Sequence, residues 1–156
     1  MKQRLEFTVN GEKVTIFVDA WRTLQEVLQD ALKLKGVKSG CNSGFCGSCT
    51  VLIDGRAVKS CLVLALQTEG RDILTIEGLS KDGALHPLQQ AFIDHFAIQC
   101  GYCIPGMILA AKALVDENSN PTEEQVREGL RGNLCRCTGY KKIVETVLAY
   151  SKGERA

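Results

Sequence analysis

The chain has 156 residues, 45% of them apolar, and a formal charge of +1, enough material for one or two small domains and no electrostatic case for nucleic acid or an anionic membrane surface. No apolar run approaches the roughly 20 residues of a membrane helix, and the N-terminus, MKQRLEFTVNGEKV, lacks the apolar stretch of a secretory signal. A cytoplasmic protein is expected, in a compartment that keeps thiols reduced and so argues against disulfides among its eight cysteines.

Arg4 to Val9 alternates, with Leu5, Phe7 and Val9 on one face and Arg4, Glu6 and Thr8 on the other. Asn10-Gly11 is a strong hairpin signal, and Val14, Ile16 and Val18 resume in phase, so a β-hairpin with one buried face is predicted. Thr23 and Glu26 have capping-box spacing. Behind them Leu24, Val27, Leu28, Ala31 and Leu32 predict a helix over 24–33 that packs on the hairpin. Residues 34–49 read as a glycine-rich loop. Thr50 to Ile53 reads as a strand, Asp54-Gly55 as a turn, Ala57 to Lys59 as the partner strand and Ile73 to Ile76 as a further one. These elements make an α+β domain over residues 1–77.

From Gly78 only helical periodicity remains. Leu79 to Leu85 reads as a polar, flexible linker. Leu88, Phe92 and Phe96 mark one helix, and Met107, Ile108, Ala111, Leu114 and Val115 a second. Thr122 caps a third containing Val126 and Leu130, and Ile143, Val144, Val147 and Leu148 mark a fourth. Short connections predict a four-helix bundle over residues 78–156.

The cysteines fall into two groups of four. Cys41, Cys46, Cys49 and Cys61 read C-x4-C-x2-C-x11-C, and Cys100, Cys103, Cys135 and Cys137 read C-x2-C-x31-C-x-C. Four thiolates are the ligand count of one iron–sulfur cluster, and the first spacing is the plant type. Gly40, Gly44 and Gly47 suit a loop that must turn sharply and aim N–H groups at sulfur. Two clusters in one small chain imply an electron wire; with both oxidised, the net charge falls to about −3. Zinc is the rival, since it also takes four cysteines in C-x2–4-C pairs, and on spacing alone the second group fits it. In the second half one cysteine pair joins helices one and two, the other helices three and four. A rough two-fold would bring both pairs to one end, under two helix N-termini that favour an anion. His86 and His95 are lone histidines, the latter on a side of its helix expected to be exposed. Trp21 reads as a packing residue. No acid–base pair stands out, and no Walker or Rossmann fingerprint occurs, so no catalytic residue is assigned and no turnover is expected of the chain alone.

At GCNSGFCGSCTVLIDG, QCGYCIPGMI and GNLCRCTGY the chain resembles, over nearly its whole length, the small iron–sulfur subunit of the molybdenum hydroxylases, the xanthine dehydrogenase family. The resemblance implies a plant-ferredoxin-like β-grasp domain followed by a four-helix domain, each with one [2Fe–2S] cluster. It implies a large partner subunit carrying molybdopterin and commonly a medium subunit carrying FAD. Carried over by position, Cys41, Cys46, Cys49 and Cys61 hold the cluster nearer the flavin. Cys100, Cys103, Cys135 and Cys137 hold the one nearer molybdenum, and Gln99 approaches the molybdopterin. Phe45, Ser48 and Ile104 depart from the commonest family pattern, which leaves the subfamily and substrate open. A free-standing two-cluster ferredoxin and a zinc-stabilised interaction module are the competing readings.

Overall fold

The structure, a computed structural model, describes residues 2–154. Strands β1 (Lys2–Val9) and β2 (Glu12–Asp19) form the predicted hairpin, with Leu5 opposite Ile16 and Phe7 opposite Val14. β3 (Thr50–Ile53) and β4 (Arg56–Lys59) form a second hairpin, and β5 (Asp72–Leu74) joins the two. The sheet order is β2-β1-β5-β3-β4, with β5 parallel to β1 and antiparallel to β3.

The sheet is covered on both faces. Leu5, Phe7, Val9, Val51 and Ile73 pack with Leu24, Val27 and Leu28 in one core, while Leu52 belongs to a second core built by the helices. Adjacent residues of one strand point to opposite faces, so Val51 and Leu52 tie the two cores together. The helical half consists of α2 (Pro87–Asp94), α3 (Ile104–Glu117), α4 (Glu123–Leu130) and α5 (Lys141–Ser151). α2 touches α3 and α5, α4 touches α3 and α5, and α3 also lies against β3. No helix among the described residues is long and apolar enough to cross a membrane.

Four local expectations change. The predicted helix at 24–33 is a short α1 (Leu24–Glu26), capped by Thr23 as expected, that widens into a π turn over Val27–Ala31. Leu32 N–H donates to the Val27 carbonyl, and the positive φ of Lys33 ends the helix, leaving Ala31 exposed. The last strand stops at Leu74 because the Asn10 side chain takes the Thr75 amide at 2.8 Å, and Ile76–Leu79 becomes a helical turn. The supposed linker is a built turn: Leu79 is buried, and Lys81 and Ala84 exchange backbone hydrogen bonds around Asp82-Gly83. Phe96 is not on the buried face of α2. The helix ends in a Schellman pair, Ala97 N–H to the Phe92 carbonyl and Phe96 N–H to the Ile93 carbonyl, both 3.0 Å. Phe96 thereby takes φ +55° and is 82% exposed.

Candidate metal centres

The first cysteine group is assembled by the loop before β3 and the turn after β4. Cys41 accepts the amides of Cys46 (3.3 Å) and Ser43 (3.4 Å) at Sγ. These N–H groups, the Cys46 one first, bring the Cys41 thiol down to about 6. The Cys49 carbonyl takes both the amide (3.3 Å) and the hydroxyl (2.7 Å) of Ser60. That anchor holds the turn that carries Cys61 against the Cys49 backbone, and both thiols are buried. Burial is the main reason the Cys61 thiol is pushed up to about 11. A Cβ on Gly40 would stand 2.7 Å from the Cys46 sulfur, so the loop lies flat against its own thiols.

The second group gathers two turns at one end of the helices. Cys103 directly precedes α3, and burial pushes its thiol up to about 12. Cys100 and Cys137 are both exposed. Burial raises Cys135, but the Thr138 hydroxyl, the Thr138 amide and the Cys137 amide outweigh it and leave this thiol below its usual value. The hydroxyl donates at 3.1 Å. Tyr140, at φ +68°, turns its hydroxyl back to accept the Cys135 amide at 2.8 Å. Gln99 is exposed beside Cys100.

Each quartet gathers its cysteines from two segments: Cys41, Cys46 and Cys49 on the loop before β3 with Cys61 on the turn after β4, and Cys100 and Cys103 before α3 with Cys135 and Cys137 before α5. Four thiols per group are the ligand set of a two-iron core. The amides and hydroxyls aimed at sulfur suit it as well, because ligating thiolates need donors around them.

The two centres are locked together by close backbone contact. Leu134 N–H donates to the Cys46 carbonyl at 2.8 Å, and buried Asn133 donates to the Gly47 carbonyl at 3.0 Å. Gly47 (φ +71°) and Gly106 are required here. A Cβ on the former would collide with the Gly132 carbonyl, and one on the latter would sit 2.5 Å from the Gly47 carbonyl. Tyr102, beside Cys103, donates to the Ser39 carbonyl at 2.7 Å, with Lys38 over its ring.

Sequence reasoning did not single out Asn133, Thr138, Tyr140 or Ser60. The first three lie within GNLCRCTGY, so a signal existed, but only folding shows which atoms each engages. The histidines have ordinary settings. His86 caps α2, its Nδ1 accepting the Leu88 amide at 3.2 Å. His95 is half-buried, with its Nε2 buried and without a partner. It lines a cavity of about 700 Å³ with Leu85, Asp94 and Tyr150, a cavity that contains none of the cysteines.

Comparison with known proteins agrees with this division of labour. Residues 7–75 match the model of the 2Fe-2S iron-sulfur cluster binding domain, and residues 75–148 match that of the [2Fe-2S] binding domain. The chain is 54% identical to the nicotine 6-hydroxylase small subunit of Paenarthrobacter nicotinovorans, over 92% of this chain and 87% of the relative. It is 45% identical to the xanthine dehydrogenase iron-sulfur-binding subunit of Escherichia coli O157:H7, over 95% and 94%. A chain of the crystal structure of quinoline 2-oxidoreductase from Pseudomonas putida 86 superposes with a TM-score of 0.92 at 42% identity, covering 99% of each chain.

Proposed function

The chain belongs to the iron–sulfur small subunits of the xanthine dehydrogenase (molybdenum hydroxylase) family, an oxidoreductase component, and on that premise we propose that it relays single electrons. In this reading it accepts them from a molybdopterin-bearing large subunit and passes them to FAD on a medium subunit, or to another acceptor. Cys100, Cys103, Cys135 and Cys137 hold the cluster nearer molybdenum, and Cys41, Cys46, Cys49 and Cys61 hold the one nearer the flavin. Gln99, exposed beside Cys100, approaches the molybdopterin. We divide the chain into a ferredoxin-like domain, 1–77, and a helical domain, 78–156. The ring of contacts α2–α3–α4–α5 supports a four-helix bundle for the latter. A cytoplasmic location suits reduced thiols.

The observation that carries the proposal is the gathering of eight cysteines into two quartets, each with N–H or O–H donors aimed at sulfur. When bound, each cluster supplies a centre that stores one electron. The residues do the rest. Ser60 holds the Cys61 turn against Cys49. Ser43 and Cys46 amides on one side, and the Thr138 hydroxyl on the other, offset thiolate charge, the kind of contact that sets potential. Exposed apolar side chains neighbour the cysteines along the chain: Phe45 beside Cys46, Leu62 beside Cys61, Tyr102 beside Cys103 and Leu134 beside Cys135. Surfaces of this kind mark protein interfaces, which favours a subunit over a free-standing ferredoxin. The names of two relatives, acting on nicotine and quinoline, favour an N-heteroaromatic substrate for the assembled enzyme.

Native purification with metal, acid-labile sulfide and flavin analysis tests the whole reading. We expect iron and sulfide in equal amounts, molybdenum, and larger partner subunits in the same peak. Colourless, zinc-loaded material that elutes alone would overturn it.

A further inference from the structure

One polar side chain lies inside the first half with part of its amide unused. Gln25 of α1 is 3% exposed, on a turn whose Leu24, Val27 and Leu28 are all core residues. Its Oε1 is buried without a partner. A leucine of similar volume would fill this place with no orphaned acceptor, and an unpaired buried polar atom costs stability. The other end of the amide shows what the polar group does. Its Nε2 donates to Asn42 Oδ1 at 3.1 Å, 17 residues along the chain.

Asn42 directly follows Cys41 and takes φ +53°, a conformation asparagine adopts more readily than most L-residues. Its Oδ1 also accepts the Ser39 hydroxyl at 2.8 Å, so the side chain is gripped from two sides. In this left-handed turn the next amide, that of Ser43, reaches back to Cys41 Sγ at 3.4 Å, and the Ser43 hydroxyl donates to the Cys41 carbonyl at 3.2 Å. The base of the brace is fixed. Thr23 and Glu26 cap α1 reciprocally, and Leu24 N–H donates to the Val63 carbonyl at 2.7 Å, just past Cys61. Gln25 thus ties a packed helical turn to the peptide whose N–H faces sulfur.

We propose that Gln25 is a positioning residue that sets the reduction potential of the first centre: through Asn42 it keeps the Ser43 amide aimed at Cys41 Sγ. The inference rests on the relay reading. One electron entering that centre adds one negative charge, and no bond forms or breaks. An N–H dipole aimed at a ligand sulfur favours the reduced form and so raises the potential.

The test compares the assembled enzyme with Gln25→Leu, Asn42→Gly and the double variant. Gln25→Leu keeps the volume and deletes the orphaned oxygen. Asn42→Gly keeps the positive φ accessible and deletes the acceptor. Four quantities are measured: iron and sulfide per chain, melting temperature, the midpoint potential of each EPR signal, and the coupling of exchangeable amide deuterons to the reduced first centre. The signal missing from Cys49→Ser identifies that centre. In Gln25→Leu we expect full iron, a lower first-centre potential, weaker deuteron coupling, an unchanged second-centre potential and a melting temperature no lower than before. Asn42→Gly should lower the same potential. The double variant should lower it no further than the larger single shift, because both changes act through one bond. An unchanged first-centre potential in either single variant, equal shifts at both centres, or additive shifts in the double variant would overturn the proposal. A lower melting temperature with both potentials kept would leave Gln25 a structural role alone. Failure of Gln25→Leu to load iron would make it an assembly residue and refute the tuning role. Iron-free unaltered enzyme would refute the relay reading, and this inference with it.

Discussion

The two halves gather four thiols by opposite means. In the first, three cysteines lie on one loop, and the fourth is delivered by a sheet: the β3–β4 hairpin ends where Ser60 hands its amide and hydroxyl to the Cys49 carbonyl. In the second, 31 residues separate the two cysteine-bearing turns in sequence, and helix packing closes the gap. The first quartet is thus largely local and the second almost wholly tertiary. Loss of packing should harm the second more, while loss of a thiol should harm either one outright.

Single cysteine replacements have the largest expected effects and test that contrast directly. Cys49→Ser should cost half the iron and one of two reduced-cluster EPR signals; Cys137→Ser should cost the other half and the other signal. Two unchanged signals in either variant would strike that cysteine from the ligands. Gly106→Ala probes the packing between the halves. In an ordinary helix the change stabilises by roughly 0.5–1 kcal/mol. Here the new Cβ meets the Gly47 carbonyl, so we expect destabilisation of about 1–3 kcal/mol, read as a lower melting temperature and earlier loss of the second EPR signal.

Phe96→Gly separates stability from assembly. Glycine tolerates the positive φ that costs an L-residue about 1–2 kcal/mol, so the chain alone should melt higher by part of that amount. Removal of this exposed aromatic, four residues before Cys100, should weaken retention of the large subunit by about 1–2 kcal/mol, measurable by titrating separated subunits. A complex that binds as tightly as before would exclude Phe96 from the interface.

Acid sensitivity gives the smallest effect and differs between the halves. Burial is the main cause that holds His86 below its usual value, with Lys112 and Lys81 adding to it and Asp116 opposing. A lowered histidine contributes stability above its unfolded pKa of about 6.5 and loses it as pH falls through the folded value. Protonation also removes the Nδ1 acceptor that caps α2. Asp54 is held below the usual carboxylate range by the Asp72 amide and then by Arg71. Its contribution survives until the pH falls below about 4. A pH series of unfolding curves should show His86→Ala flattening the slope from pH 6.5 downward, and Asp54→Asn only the slope below pH 4.

Much of the architecture was legible because local chemistry dictates it. Asn10-Gly11 and Asp54-Gly55 sit at positive φ in both hairpin turns, and Thr23 and Thr122 cap the helices their spacing announced. The failures are places where a distant group intervened. Asn10 takes the Thr75 amide from 65 residues away and shortens β5. Phe96 kept the apolar period of α2 yet lies beyond its end, since a Schellman closure depends on carbonyls and φ, not on hydrophobicity. His95 read as an exposed residue, yet it is half-buried and shares a cavity with Tyr150 of α5.

By itself the sequence determined which cysteines belong together, four and four, because ligand spacing is a chemical requirement carried along the chain. It also set the two kinds of structure, through periods of two and of about 3.6 residues. Only the tertiary structure decided which amides and hydroxyls reach the thiols, and that Asn133 and Leu134 would reach Gly47 and Cys46 across more than 80 residues of chain. Hydrogen bonds are short and directional, so their partners exist only once both cores have packed and brought the two backbones into contact.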